Sequence, residues 1–152
     1  MRNIRISSLL PVSFRDELER IVFFNPEQSL ITGRLVDLVH RYGVPEIFDE
    51  SDCLRFRSRG LGQLQTLYAL DATDEPEHLV AVAMFTRLRR RSLVVVHLAV
   101  HEDYSSRGKW SGEAVVAQLV AAIRNLALRT RGVNTLRILY PHETRFDLQR
   151  DR

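Results

Sequence analysis

Residues 93–127, LVVVHLAVHEDYSSRGKWSGEAVVAQLVAAIRNLA, decide the fold of this chain. The segment opens with an apolar run of strand length, passes through a polar turn, and ends with apolar residues at helical spacing. The turn carries Arg107 and Lys109 together with two glycines. A helix N-terminus has unpaired backbone N–H groups and a partial positive charge, so the pattern predicts an anion-binding turn. An ordinary loop, in which serine and glycine only cap the helix, is the alternative.

The residues before this segment predict a short strand, two helices and a long loop. The strand covers 3–7, and the first helix covers 13–24, with Ser13 and Asp16 spaced as in a capping box. A second apolar stripe from Pro26 to Tyr42 predicts another helix. Residues 44–62 have the weak periodicity of a long loop, in which Leu54–Phe56 could form a short strand.

The rest of the chain predicts an antiparallel meander that continues into a parallel crossover. Short turns join the first three strands, and the lengths of the next strand, helix and strand suit a βαβ unit. The predicted elements are strands 63–70, 79–85 and 93–100, helix 112–131, and strand 135–140, with a polar tail at 141–152.

These elements predict a single domain of the α+β class, with a mixed, mostly antiparallel sheet flanked by helices. Two N-terminal helices and a loop occupy residues 1–62, and the core sheet and helix occupy 63–140. A chain of 152 residues is long enough for one such core.

The window Arg107-Gly108-Lys109-Trp110-Ser111-Gly112 resembles a family motif, in which Arg or Gln is followed by two residues, Gly, one residue, and Gly or Ala. With the preceding LAVHEDYSS and the order strand, strand, loop, helix, strand, residues 79–140 resemble the core of the GCN5-related N-acetyltransferases (GNATs). The resemblance implies a GNAT-like fold with an acyl-CoA-binding βαβ core.

The resemblance implies that acetyl-CoA is a cosubstrate and that an unidentified amine accepts the acetyl group. Backbone amides of the turn would hold the pyrophosphate, the main chain of strand 93–100 would bind the pantetheine arm, and a backbone amide near Val100 would stabilise the oxyanion. The implied cofactor-binding residues are Leu98, Ala99, Val100, Arg107, Gly108, Lys109, Trp110, Ser111, Gly112 and Glu113.

His97 and Tyr140 are the candidate catalytic residues. In this fold His97 could act as the base that deprotonates the amine, and Tyr140 could donate a proton to the departing thiolate. Each has a simpler interpretation, His97 as a hydrogen-bonded residue on a sheet face and Tyr140 as a packing residue. The five histidines show no metal-ligand spacing, so no metal site is predicted.

The sequence departs from the family pattern at two points. Trp110 replaces the first glycine of the motif, and twelve residues follow Tyr140 where the family continues with a helix and two strands. A non-catalytic GNAT-like binding or regulatory module is therefore an alternative function. Strand 135–140 would be an exposed edge, which predicts a homodimer formed by strand pairing.

Composition and charge restrict the remaining possibilities. The net charge is +3, and the arginines of 87–91 and 55–59 make a basic nucleic-acid-interacting domain a further alternative. No apolar run is long enough to span a membrane. One cysteine, Cys53, and the lack of a signal-peptide pattern predict a cytoplasmic location.

Overall fold

The computed structural model describes residues 1–24, 39–139 and 144–148. Within these ranges eight strands form one mixed sheet, in the order β2-β3-β4-β5-β6-β7-β8, with β1 paired to β4 beside this path. The strands are β1 (Ile4–Ser7), β2 (Glu46–Glu50), β3 (Cys53–Ser58), β4 (Gly62–Asp71), β5 (His78–Leu88), β6 (Ser92–Val100), β7 (Thr135–Ile138) and β8 (Thr144–Asp147). The helices are α1 (Arg15–Phe23) and α2 (Val115–Arg129).

The predicted meander is confirmed, since β4, β5 and β6 pair antiparallel in sequence order. Residues 79–85 and 93–99 are buried without interruption. Continuous apolar strands of this kind form where a sheet is covered on both faces. The central strands are therefore fixed by hydrophobic burial on both sides.

The predicted crossover is also confirmed, because α2 joins β6 to β7 and these two strands are parallel. Leu119, Ile123 and Ala127 lie at helical spacing and are fully buried against one face of the sheet. The opposite face is covered by α1, through Leu18 and Ile21. The protein is thus an α+β domain whose mostly antiparallel sheet lies between two helices.

The first helix forms where it was predicted, but the capping box does not. A 3-10 turn at Val12–Phe14 precedes α1, the N-cap is Phe14, and no side chain caps the helix. Ser13 lies inside the 3-10 turn, so its hydroxyl is not at the cap position.

The long loop predicted at 44–62 is wrong in most of its length, because it forms the hairpin of β2 and β3. The short strand considered near Leu54–Phe56 lies within β3. Ser51 and Asp52 connect the strands with φ angles of 52° and 64°. Two consecutive residues with positive φ define a type I′ turn, for which Asn-Gly and Asp-Gly are the usual sequences. The hairpin was missed because Ser-Asp is not a recognised signal for this turn.

The C-terminal segment is a strand rather than a polar tail. Residues 144–147 form β8, which pairs antiparallel along the whole of β7. Phe146 and Leu148 pack against the α2 side of the core, and these two apolar contacts explain why the segment is ordered. Residues 135–138 are therefore not an edge, and the homodimer predicted from an exposed strand 135–140 loses its structural basis.

The second predicted helix, 26–42, lies mainly outside the described residues; positions 39–42 are helical. No described helix has both the length and the apolar character needed to cross a membrane.

Candidate functional site

A β-bulge interrupts the pairing of β5 with β6 at Val96. Met84 pairs with His97 and Phe85 pairs with Val95, so Val96 is an extra residue on β6. A bulge bends its strand and increases the local twist. It also places Val96 and His97 along the same small cavity on the α1 side of the sheet.

The parallel pairing of β6 with β7 stops beside this bulge. The last register pair is Val95 with Ile138, and the Leu139 N–H then donates to the Val95 carbonyl at 2.9 Å. β6 continues to Val100, held by β5 on its other side. The C-terminal half of β6 thus extends beyond the ladder that joins it to β7.

His97 is buried, with 4% of its surface exposed. Burial disfavours the imidazolium and lowers the pKa of His97 to about 4. The side chain is therefore neutral near pH 7, and its basicity is low for a group that must remove a proton from an amine.

The loop from His101 to Ala114 is held largely by its own backbone. The N–H groups of Gly108, Trp110, Ser111 and Glu113 all donate to carbonyls within the loop. Those of Arg107, Lys109 and Gly112 have no partner among the described residues. The second set is available to an anion, whereas the first set already has acceptors.

Gly108 is required by close packing inside this loop. A Cβ atom at this position would lie 2.2 Å from the Glu102 carbonyl oxygen and 2.4 Å from the Asp103 carbonyl carbon. Gly112 differs, because a Cβ atom there would meet nothing within 4 Å. The loop therefore tolerates a side chain at Gly112 but not at Gly108.

The helix that follows the loop begins without a side-chain cap. Its N-cap residue is Ala114, in the left-handed conformation with φ of 50° and ψ of 48°. The first-turn N–H groups of an α-helix have no intrahelical partner. Lys109 and Gly112 therefore lie close in sequence to an uncapped positive end of α2.

A buried carboxylate joins the loop to the start of the chain. Asp71, at the end of β4, accepts hydrogen bonds from the Tyr104 hydroxyl, from Arg2 Nε at 2.7 Å, and from both the N–H and the hydroxyl of Thr73. Burial alone would raise the pKa of Asp71, but these hydrogen bonds outweigh it and hold that pKa well below its usual range. Burial and the bond to Asp71 raise the pKa of Tyr104 to about 12.

Trp110 packs on this network. The Arg2 guanidinium lies 4.5 Å from the centre of the indole ring, and the Lys109 ammonium lies 4.9 Å from it. The Arg2 N–H also donates to the Glu113 carboxylate at 2.8 Å. The indole ring therefore lies next to Arg2, near β4, whereas β7 is on the other side of β6.

Only part of the predicted site lies within the described residues, and this part is divided between β6 and the loop before α2. Leu98, Ala99 and Val100 lie on β6 beyond the β7 ladder, and the residues from Arg107 to Glu113 form the loop before α2. Tyr140 lies outside the described residues.

Sequence reasoning missed Arg2 and Asp71 as parts of this network. No local pattern links Asp71 to Arg2 and Tyr104, which lie 69 and 33 positions away. The alternation of β4 carried a usable signal, because a strand of buried residues that ends in aspartate predicts a buried carboxylate with partners.

Comparison of the chain with family models, with curated proteins and with solved structures found no match.

Proposed function

We propose that this protein is a GNAT-like N-acetyltransferase that binds acetyl-CoA and transfers its acetyl group to an amine. The observation that carries the proposal is the β6–α2–β7 unit, in which strand pairing stops at Val95 beside a bulge. In this proposal the two strands separate beyond Val95 and admit an extended ligand between them.

The chain offers suitable groups for each part of acetyl-CoA. The main chain of Leu98, Ala99 and Val100 would hydrogen bond the pantetheine arm. The pyrophosphate would lie against the N–H groups of Lys109 and Gly112 at the uncapped end of α2. The side chains of Arg107 and Lys109 are exposed on the same loop and add positive charge.

The reaction is a direct transfer. The neutral amine attacks the thioester carbonyl, a C–N bond forms and the C–S bond breaks; the nitrogen releases its proton to water, and the departing thiolate takes up a proton. Tyr140 remains the predicted donor of that proton. His97 is buried with a low pKa, so in this proposal it serves packing and not proton removal.

Thermal unfolding with and without 1 mM acetyl-CoA tests binding. A ligand present at about 100 times its Kd stabilises the folded state by about 2.7 kcal/mol, which raises Tm by several degrees for a domain of this size. An unchanged Tm at this concentration would overturn the proposal.

Two substitutions of Gly112 locate the binding site. Gly112→Asp has space for its side chain and adds a negative charge where the pyrophosphate would bind, so we expect it to remove the acetyl-CoA shift. A carboxylate near the N-terminus of α2 does not destabilise the helix. Gly112→Ala also replaces the glycine but adds no charge, so it should keep most of the Tm shift that acetyl-CoA produces. Equal shifts in both variants would place acetyl-CoA elsewhere.

A non-catalytic acyl-CoA-binding module is the second candidate function. The departure from the family motif at Trp110, where the first glycine is expected, motivates this candidate. Release of free thiol from acetyl-CoA in the presence of a panel of amines separates the two. Thiol release supports the transferase, and a Tm shift without thiol release supports the module.

A further inference from the structure

A basic groove crosses the sheet at the start of β6 and β7, remote from the loop before α2. It has a volume of about 540 Å³ and is open to solvent. Four arginines and three neutral hydrogen-bonding side chains line it: Arg89, Arg91, Arg137, Arg145, Ser92, Asn134 and Thr135. We refer to these seven residues as the arginine groove.

The backbone around the arginine groove is held in place by hydrogen bonds. The Arg91 carbonyl accepts from the N–H groups of Asn134 and Thr135, at 2.8 and 3.2 Å. The Arg87 side chain donates to the carbonyls of Arg90 and Arg131, at 2.8 and 2.9 Å. The β5–β6 turn is therefore fixed to the segment before β7, and the groove exists before any ligand binds.

Arginine occupies sites in and beside the groove that are unfavourable for it, in one case because of the backbone conformation and in the other because of a like-charged neighbour. Arg89 and Arg90 adopt left-handed backbone conformations, with φ of 53° and 63°, where glycine or asparagine is the usual residue. Arg137 and Arg145 are direct cross-strand partners on β7 and β8, and like charges in that position repel. An anionic ligand bound in the groove would offset both of these costs.

The acidic neighbour of Arg145 neutralises its charge only weakly. Asp147 is 3.4 Å from Arg145, but both side chains are more than half exposed, so water and salt weaken the pair. The guanidinium groups of Arg89 and Arg91 have no ion-pair or hydrogen-bond partner among the described residues. Arg87, Arg90 and Arg131 are exposed beside the groove and extend the positive surface.

We propose that the arginine groove binds the phosphate backbone of a double-stranded nucleic acid, independently of the proposed acetyl transfer. Arginine donates paired hydrogen bonds to phosphate oxygens, and several arginines along a groove suit a ligand with regularly repeated phosphates. None of the described residues that line the groove is aromatic, so these residues do not form the stacking surface with which proteins hold single strands. Recognition through phosphates alone predicts binding without sequence preference.

Fluorescence anisotropy with a labelled 20-base-pair duplex of mixed sequence tests the proposal. Each phosphate contact contributes about −0.9 to the slope of log K against log salt, so four arginines predict a slope near −4. We expect binding at 50 mM salt and a loss of affinity of more than tenfold at 200 mM. Absence of binding at 50 mM salt would overturn the proposal.

Substitutions test whether duplex binding depends on the arginine groove or on the overall positive charge of the protein. Arg89→Gly suits the left-handed backbone, so we expect it to raise the unfolding midpoint while it lowers the salt slope by about one. The pair Arg137→Gln and Arg145→Gln should lower the slope by about two. Arg5→Gln, on β1 at the other side of the sheet, removes one charge outside the groove and should leave the slope unchanged. Equal losses in Arg5→Gln and Arg89→Gly would contradict the assignment.

The class of partner is tested by competition. Polyglutamate of the same charge as the duplex should displace it at least tenfold less effectively, because carboxylates do not reproduce the phosphate spacing. Equal displacement would reassign the groove to acidic peptides and overturn the proposal.

Discussion

The chemical state of His97 depends on where the β5–β6 bulge places it. An imidazole on an open strand would titrate near its ordinary pKa, whereas burial lowers the pKa of His97 to about 4. Asp71 is buried to a similar degree but has three hydrogen-bonding partners that favour its charged form. Burial therefore keeps the histidine neutral, while hydrogen bonds keep the aspartate ionised.

His97 predicts a dependence of stability on mild acid. Between pH 6.5 and about 4 the unfolded chain binds a proton at this imidazole and the folded chain does not, so stability falls as the pH is lowered. The free energy of unfolding should decrease by about 3 kcal/mol over this range from His97 alone. Urea unfolding at a series of pH values measures it. His97→Gln should flatten the profile, whereas His78→Gln, at an exposed position, should not.

At the scale of single elements, the strands predicted most accurately from the sequence are those that are buried on both faces of the sheet. Apolar content alone predicts β5 and β6, and the spacing of Leu119, Ile123 and Ala127 predicts α2. β2 and β8 were missed because exposed, charged strands carry little hydrophobic signal. The loop sequence predicted an anion site, but it did not indicate which of the loop N–H groups donate to carbonyls of the loop itself.

The β2–β3 turn predicts a stabilising double substitution. Ser51 and Asp52 both have positive φ, so Ser51→Asn with Asp52→Gly should raise the free energy of unfolding by about 1 kcal/mol. The contact of the Asp52 carbonyl with the Val12 N–H uses only backbone and is retained. Chemical denaturation measures the gain. A double alanine variant has no preference for this conformation and should show none; an equal gain would contradict the type I′ assignment.

At the scale of the whole molecule, Arg2 joins three parts that are distant in sequence. Its side chain bonds Asp71 and stacks on Trp110, and its N–H bonds Glu113. The conformation of the loop before α2 therefore depends on the docking of β1. A function of that loop, including the proposed acetyl-CoA binding, depends on the first residues of the chain in the same way.

Arg2→Gln is expected to loosen the loop without disrupting the central sheet. Amide hydrogen exchange should increase in residues 102–113 and remain unchanged in β5 and β6. Trp110 is the only tryptophan of the chain, so its fluorescence should shift to longer wavelength as the ring becomes more hydrated. The matched control is Arg5→Gln, which removes only a partly exposed ion pair with Glu77. An unchanged emission spectrum in Arg2→Gln would show that the stacking does not hold the ring.

Two strands, β3 and β1, pair with β4 on the side away from β5, and this arrangement affects the folding rate. β3 occupies the first part of that edge and is its neighbour in sequence, whereas β1 pairs with the last part from more than sixty residues away. The bond from Arg2 to Glu113 spans 111 positions. Closing such distant contacts reduces chain entropy before it brings stabilising interactions, so refolding should take roughly milliseconds to seconds. The meander and its hairpins would form early, and Trp110 would reach its final environment among the last steps.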